Sequence, residues 1–191
     1  PSMKVAVWAT QRVVACQHAL LIVLLWLFTG SAIAQAQTGP AEQRAKAVTQ
    51  VVLGILSYAR WPVEPAQLHL CIVGPTEYTD DLVKGTTQAT GRPVAVRRLL
   101  ADNPAIVSEC DAVYIGKLTA DERSRLFASL IGHPVLSISE ADDQCTVGSL
   151  YCLRVGDEQV SFEVNLDSVA RSGVRIHPSV LQLSRRKAAA P

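Results

Sequence analysis

Residues 67–74 read QLHLCIVG, and no other stretch narrows the possible folds as much. Leu68, Leu70, Ile72 and Val73 form a short apolar run that Gly74-Pro75 closes, with Thr76 following where a helix can begin. A buried strand ending in a turn is the opening move of an α/β sheet. The strand also holds Cys71 in its interior. What a cysteine does there depends on the compartment, which the N-terminus addresses.

Pro1 and Ser2 precede Met3 and read as a leftover of preparation, so the native chain is expected to begin at Met3. Lys4 and Arg12 are followed by the apolar run ALLIVLLWLF at 19–28 and then by small residues through Ala34. Basic start, short apolar centre and A-x-A site are the parts of a cleaved secretory signal. Cleavage after Ala34 or after Ala36 fits equally, and a membrane-spanning helix would need about 20 apolar residues, roughly twice this run. Cys16 lies before the apolar run, so no cysteine stands where lipid attachment would need one. The expected division is residues 1–36 as leader and 37–190 as one α/β domain of about 155 residues, long enough for its own core.

Removing Cys16 leaves Cys71, Cys110, Cys145 and Cys152. An even number in an exported chain reads as two disulfides, for which three pairings exist. Cys71 lies in the first strand and Cys110 just ahead of DAVYIG at 111–116, a neighbouring strand; Cys145 and Cys152 flank Gly148 at hairpin spacing. These positions favour Cys71–Cys110 and Cys145–Cys152. Zinc is not expected, because there is no C-x-x-C and the four histidines are scattered. The same spacing argues against a thioredoxin-like site.

Along the mature chain, residues 41–58 step apolar at Ala41, Ala45, Val48, Val51, Val52, Ile55 and Leu56, the rhythm of an amphipathic helix. Gly54 within it is a weak point that permits a close contact, and Pro62 ends the pattern. Beyond the first strand, Thr76 with Glu77, Asp80 and Asp81 predicts a helix through residue 89. Strands are expected at 92–99, 111–115 and 134–138, with a short helix after Asp102-Asn103-Pro104 and a Thr119-capped helix over 120–130. Then the order changes. Gly156-Asp157 joins 148–155 to 159–165 as an antiparallel hairpin, a short helix spans 166–172 before Gly173, and an apolar segment closes at 174–183. The expectation is a single, mostly parallel sheet flanked by helices, with an antiparallel C-terminal hairpin and disulfide staples.

Chemistry-bearing motifs are sparse. There is no G-x-S-x-G, H-E-x-x-H, P-loop or G-x-G-x-x-G after the first strand, so the chain is expected not to be an enzyme and to need no cofactor. With 18 basic and 17 acidic side chains, the balance argues against nucleic acid as a partner. The turn at Gly74-Pro75-Thr76 could take an anion on a helix N-terminus, although such turns are common without ligands. His69 and His133 read as structural and loop residues. More pointed are Arg60 beside Trp61-Pro62, and Arg175 with His177 before Pro178. A guanidinium fork next to a ring suits a planar anion. The plain alternative is an arginine capping the first helix and a solvated strand face. Glu163, between Phe162 and Val164, is either a surface acid or a partner for one of those arginines.

Read together, several stretches resemble the YfiR family: the Tyr58–Pro62 aromatic-Arg-Trp-Pro element, LHLCIVG at 68–74, GRPVAVRRL at 91–99, CDAVYIG at 110–116, HPVLSISE at 133–140, VSFEVNLDSVARSGVRI at 160–176 and PSVLQLS at 178–184. The likeness spans nearly the whole mature chain, and no single motif in it is catalytic. It implies a periplasmic repressor that binds the periplasmic domain of an inner-membrane diguanylate cyclase and lowers cyclic di-GMP, which governs biofilm growth. It further implies sequestration by an outer-membrane OmpA/Pal-like lipoprotein, redox sensitivity through the disulfides, and a homodimer.

A repressor of this kind needs an exposed surface for its partner. Glu163, Val169, Ile176, Val180 and Leu183 are the candidates, with ordinary core packing the plain alternative for each apolar one. The competing expectation is a small-molecule module in which Arg60, Trp61, Arg175 and His177 hold an anionic ligand. No insertion into a membrane is expected once the leader is removed.

Overall fold

The computed structural model describes residues 39–88, 90–140, 145, 148–157 and 159–185. The leader expected over 1–36 lies outside the described residues. Helix α1 (Pro40–Tyr58) starts with Pro at its first turn and buries Val48, Val52, Ile55 and Leu56. Each such side chain, fully buried, contributes roughly 1.5–3 kcal/mol. The chain then passes through β1 (Ala59–Arg60) into β2 (Leu68–Val73), whose interior positions 70–73 are all buried. This is the two-sided burial of a central parallel strand.

Strands β3 (Thr86–Thr87), β4 (Pro93–Leu99), β5 (Ala112–Ile115), β6 (Leu136–Ser139), β7 (Tyr151–Val155) and β8 (Val160–Val164) complete one sheet in the order β3-β4-β2-β5-β6-β7-β8. Pairs β4/β2, β2/β5, β5/β6 and β6/β7 are parallel; both outer pairs, β3/β4 and β7/β8, are antiparallel. The short α2 (Ala105–Glu109) and α3 (Ala120–Leu130) lie between strands. Thr119 and Glu122 close α3 with a capping box, and the Thr119 N–H bond holds the Glu122 carboxyl below the usual carboxylate range. After α4 (Leu166–Ser172), β9 (Arg175–Ile176) pairs antiparallel with β1, and a 3₁₀ segment (Pro178–Arg185) follows.

That last segment packs on α1. A Cβ on Gly54 would lie 2.8 Å from Leu183 Cδ1, so the glycine admits the closing segment to the helix surface. Two cores result. The larger joins α1 to Leu70, Tyr114, Ile138, Tyr151 and Phe162, while the smaller gathers Cys71, Val113, Leu126 and Phe127 on the other face.

One expected element is absent. The helix predicted over 76–89 is replaced by turns, a single 3₁₀ turn at Leu82–Lys84 and the edge strand β3. Two tertiary bonds hold the start of this stretch open: Arg98 Nη2 donates to Thr79 Oγ1 at 2.8 Å, and Glu77 N–H donates to Glu140. Gly85, at φ 83°, then ends the turn. Both disulfides pair as expected, Cys71–Cys110 across 39 residues and Cys145–Cys152 across seven.

Candidate functional site

The ribbon of β1 and β9 gathers three of the four candidate ligand residues. Its register sets Ala59 opposite Ile176 and Arg60 opposite Arg175. Directly opposed residues of an antiparallel pair share a face, so the two guanidinium stems leave the ribbon on the same side. Both residues are exposed. His177 follows: its N–H donates to Tyr58 O at 2.9 Å, and its ring lies 6.1 Å from the Tyr58 ring. His177 Nδ1 accepts from Ser179 N–H at 3.2 Å, which leaves Nε2 to carry the proton in the neutral ring.

Arg60 also performs the plainer task. Its Nη1 donates to Ser57 O at 2.8 Å and to Ala59 O at 2.7 Å, at the C-terminal end of α1. Trp61 stands apart from the cations. It is buried, 4% exposed, and its Nε1 donates to Asp111 O at 2.9 Å, so the indole anchors the β1–β2 connection to the start of β5. Glu163 is exposed and pairs with Arg154 of the neighbouring strand at 3.2 Å, not with Arg60 or Arg175. A strand neighbour is simply nearer than either ribbon cation.

Of the apolar surface candidates, Val180 is 2% exposed and sits within the larger core. Val169, Ile176 and Leu183 are half-buried against that core. Leu166 and Leu181, which the sequence did not single out, are 76% and 52% exposed. His69 shares Asp111 Oδ2 with its own backbone N–H, and His133 lies in the turn after α3, which agrees with their structural reading.

At the C-terminal edge of the parallel strands the chain fills its own crevice. In open α/β sheets ligands gather where the strand order reverses, and here that lies beside β2, from which β4 and β5 depart in opposite directions. The turn after Gly74 offers the N–H groups of Glu77 and Tyr78. Both donate to the Glu140 carboxylate, at 2.6 and 3.3 Å, and Tyr114 Oη donates to the same group at 2.7 Å. Glu140 is 8% exposed. Burial, with Glu140 alongside, pushes the Tyr114 phenol well above its ordinary value, which keeps it a donor. No helix begins at the Gly74-Pro75-Thr76 turn, and the N–H groups just beyond it, of Glu77 and Tyr78, are taken by the protein's own Glu140 carboxylate. The signal in the sequence was Glu140 placed directly after the apolar strand at 136–139, but nothing local tied it to a turn 63 positions earlier.

The sequence matches one known family from Ala45 to Arg185, spanning α1 through the closing 3₁₀ segment. The chain belongs to the YfiR/HmsC-like family. This family is one of regulatory, non-catalytic periplasmic proteins of diguanylate cyclase signalling. Among the described residues no helix is long and apolar enough to cross a membrane, and no three His, Cys, Asp or Glu side chains converge as metal ligands.

Proposed function

We propose that this YfiR/HmsC-like chain is a periplasmic repressor that acts as a homodimer. It binds the periplasmic domain of an inner-membrane diguanylate cyclase and holds cyclic di-GMP synthesis down. An outer-membrane OmpA/Pal-like lipoprotein relieves the repression by sequestering the chain, and a change in disulfide state alters the balance. The family match over residues 45–185 carries this reading. The crevice filled by Glu140 supports it, because function then falls to outer surfaces. Glu163, Leu166, Val169, Ile176, Leu181 and Leu183 are the surface to test. Oxidised protein should retain the cyclase's periplasmic domain in a pull-down, with weaker retention after mild reduction. Absence of retention in either state overturns the reading.

A second reading has its own observation. Two arginines directly opposed on one face, with His177 two positions after Arg175, make a local cationic site that a planar carboxylate would neutralise. Such a ligand would shift repressor activity by its differential affinity for the free and bound states. Saturable binding of benzoate, lost in Arg175→Ala, tests it.

A further inference from the structure

The turn at 62–65 leaves Val63 84% exposed, more than any other large apolar residue among those described. The turn is tied at three points. Trp61 N–H donates to Glu64 Oε1 at 3.0 Å, and the other oxygen of that carboxylate pairs with Arg92 at 3.0 Å. The buried Trp61 indole fastens the same stretch to Asp111 O, and Pro62 and Pro65 restrict its backbone. A loose loop could fold an apolar side chain back onto its own surface. This turn holds Val63 out in water.

Beside it opens a cleft of about 600 Å³, bounded by the turn, by α2 and by the chain around the starts of β2, β5 and β6. Val107, Cys110, Pro134 and Val135 supply apolar wall, and Val63 stands at the mouth. The charged side chains described in the wall are engaged with one another. Arg97 pairs with Glu109 at 2.6 Å, and Asp111 accepts from the His69 N–H at 2.8 Å with the His69 ring Nδ1 3.2 Å away.

An ionic small molecule would have to break one of these pairs to bind, and it would leave Val63 uncovered. A second copy of the chain uses both features. Knob and hollow lie side by side on one patch, so a two-fold axis that seats one molecule's turn in its partner's cleft seats the partner's turn in return. Such a contact closes on itself. Two-fold symmetry also brings each charge of the patch near its own mate, which a patch of one sign would resist. Here Arg92 and Arg97 are matched by Glu64 and Glu109. Because the turn is ordered before contact, docking costs it little conformational entropy.

We infer that two copies of the chain associate through this patch, the 62–65 turn of each seated in the cleft of the other. The inference rests on the homodimer of the repressor reading and adds its surface. It leaves the surface around Glu163 and Leu166 uncovered, because β8 lies four strands from β2 across the sheet.

The test is sedimentation velocity of the intact, oxidised protein over a wide concentration range, with a thermal melt of each variant. The parent should be dimeric. Val63→Asp should weaken the dimer by about tenfold or more, because it buries an unpaired charge in the contact, and its exposed position should let it melt with the parent. Ser108→Arg, at an exposed position in the cleft wall, should weaken it comparably by obstructing the hollow. Leu166→Asp should leave the dimer unchanged. A dimer undiminished in both folded Val63→Asp and folded Ser108→Arg overturns this surface and leaves the homodimer reading standing, as does a dimer lost in Leu166→Asp instead. A parent that sediments as a monomer at every concentration overturns both.

Discussion

Arg60 and Arg175 are direct cross-strand partners across the β1–β9 ribbon, although 115 positions separate them in sequence. Neither has an acidic partner among the described residues. Like charges directly opposite destabilise a strand pair by a few tenths of a kcal/mol up to about 1. The two are nevertheless unequal, because only Arg60 donates to the end carbonyls of α1. Arg60→Ala should therefore lower stability by about 0.5–1 kcal/mol, through loss of the helix-end contact. Arg175→Ala should leave it within about 0.5 kcal/mol of the parent, or slightly higher at low salt. Urea unfolding of both variants at two ionic strengths checks the asymmetry. Equal losses would mean that the helix-end bonds of Arg60 contribute nothing.

Glu140 ties three parts of the fold with one carboxylate: the turn after β2, the Tyr114 hydroxyl of β5, and the end of β6. Hydrogen bonds to a charged group contribute about 1.5–3 kcal/mol each in favourable cases, and orphaned buried donors add to the loss. Glu140→Ala is expected to cost about 2–4 kcal/mol. It also vacates an anion-sized gap at two N–H groups, so sulfate should restore part of the lost melting temperature in the variant and do less for the parent. Thermal melts with sulfate and with chloride at matched ionic strength read this out. A variant that melts like the parent would show that the carboxylate is not holding the turn.

Much of this architecture could be read from sequence because its signals are local. The buried runs at 70–73 and 112–115, the Thr119/Glu122 cap and the turn at Gly156-Asp157 each declare themselves within a few residues. The disulfide partners followed from strand adjacency, which topology makes predictable. The missed helix at 76–89 fails for the opposite reason. Its acidic first turn looked like a helix start, but the N–H groups of Glu77 and Tyr78 are satisfied by Glu140, and Thr76 and Thr79 are bound by Arg98. Long-range partners outbid a weak local preference, in a stretch where Thr and Gly already disfavour helix. The site residues divide the same way. Neighbouring charges and rings made Arg60 and His177 conspicuous, whereas Trp61 looked like a stacking platform until its indole proved to be buried against Asp111.

Tyr151 has no exposed surface, stands edge-on to Phe162 at 5.5 Å, and has a buried hydroxyl with no hydrogen-bond partner among the described residues. Replacing it with Phe removes an unsatisfied polar atom and leaves the ring contact, so Tyr151→Phe should be neutral or stabilising by about 1 kcal/mol at neutral pH. Burial also pushes its phenol well above the ordinary value, as it does for Tyr114. A raised folded-state value means that the unfolded chain releases the proton first. The stability linked to each tyrosine is thus whole below about pH 10 and falls above it, by about 1.4 kcal/mol per pH unit per group. Denaturant unfolding between pH 9 and 11 should give a shallower alkaline decline for Tyr151→Phe than for the parent. Parallel declines would mean that the Tyr151 hydroxyl reaches water in the native state.

The two disulfides should differ in what their loss does to the fold. Cys71–Cys110 closes 39 residues and ties β2 to the residue that ends α2, just ahead of β5, on the face of the smaller core, with both cysteines buried. Cys145–Cys152 closes seven residues at the entry to β7. Chain entropy assigns about 4 kcal/mol to the longer loop and about 2 to the shorter. The paired replacement Cys71→Ala with Cys110→Ala also leaves small cavities in packed surroundings, which adds to its cost. That variant should lose most of the marginal stability of a domain this size, whereas Cys145→Ala with Cys152→Ala should still unfold cooperatively. Guanidinium melts of both variants, with thiols blocked, make the comparison. If partner binding in the pull-down falls in the Cys145/Cys152 variant while its melt stays cooperative, the short loop is the redox-responsive one. If binding falls only where the fold is lost, the bridges are scaffold and the response to reduction is unfolding.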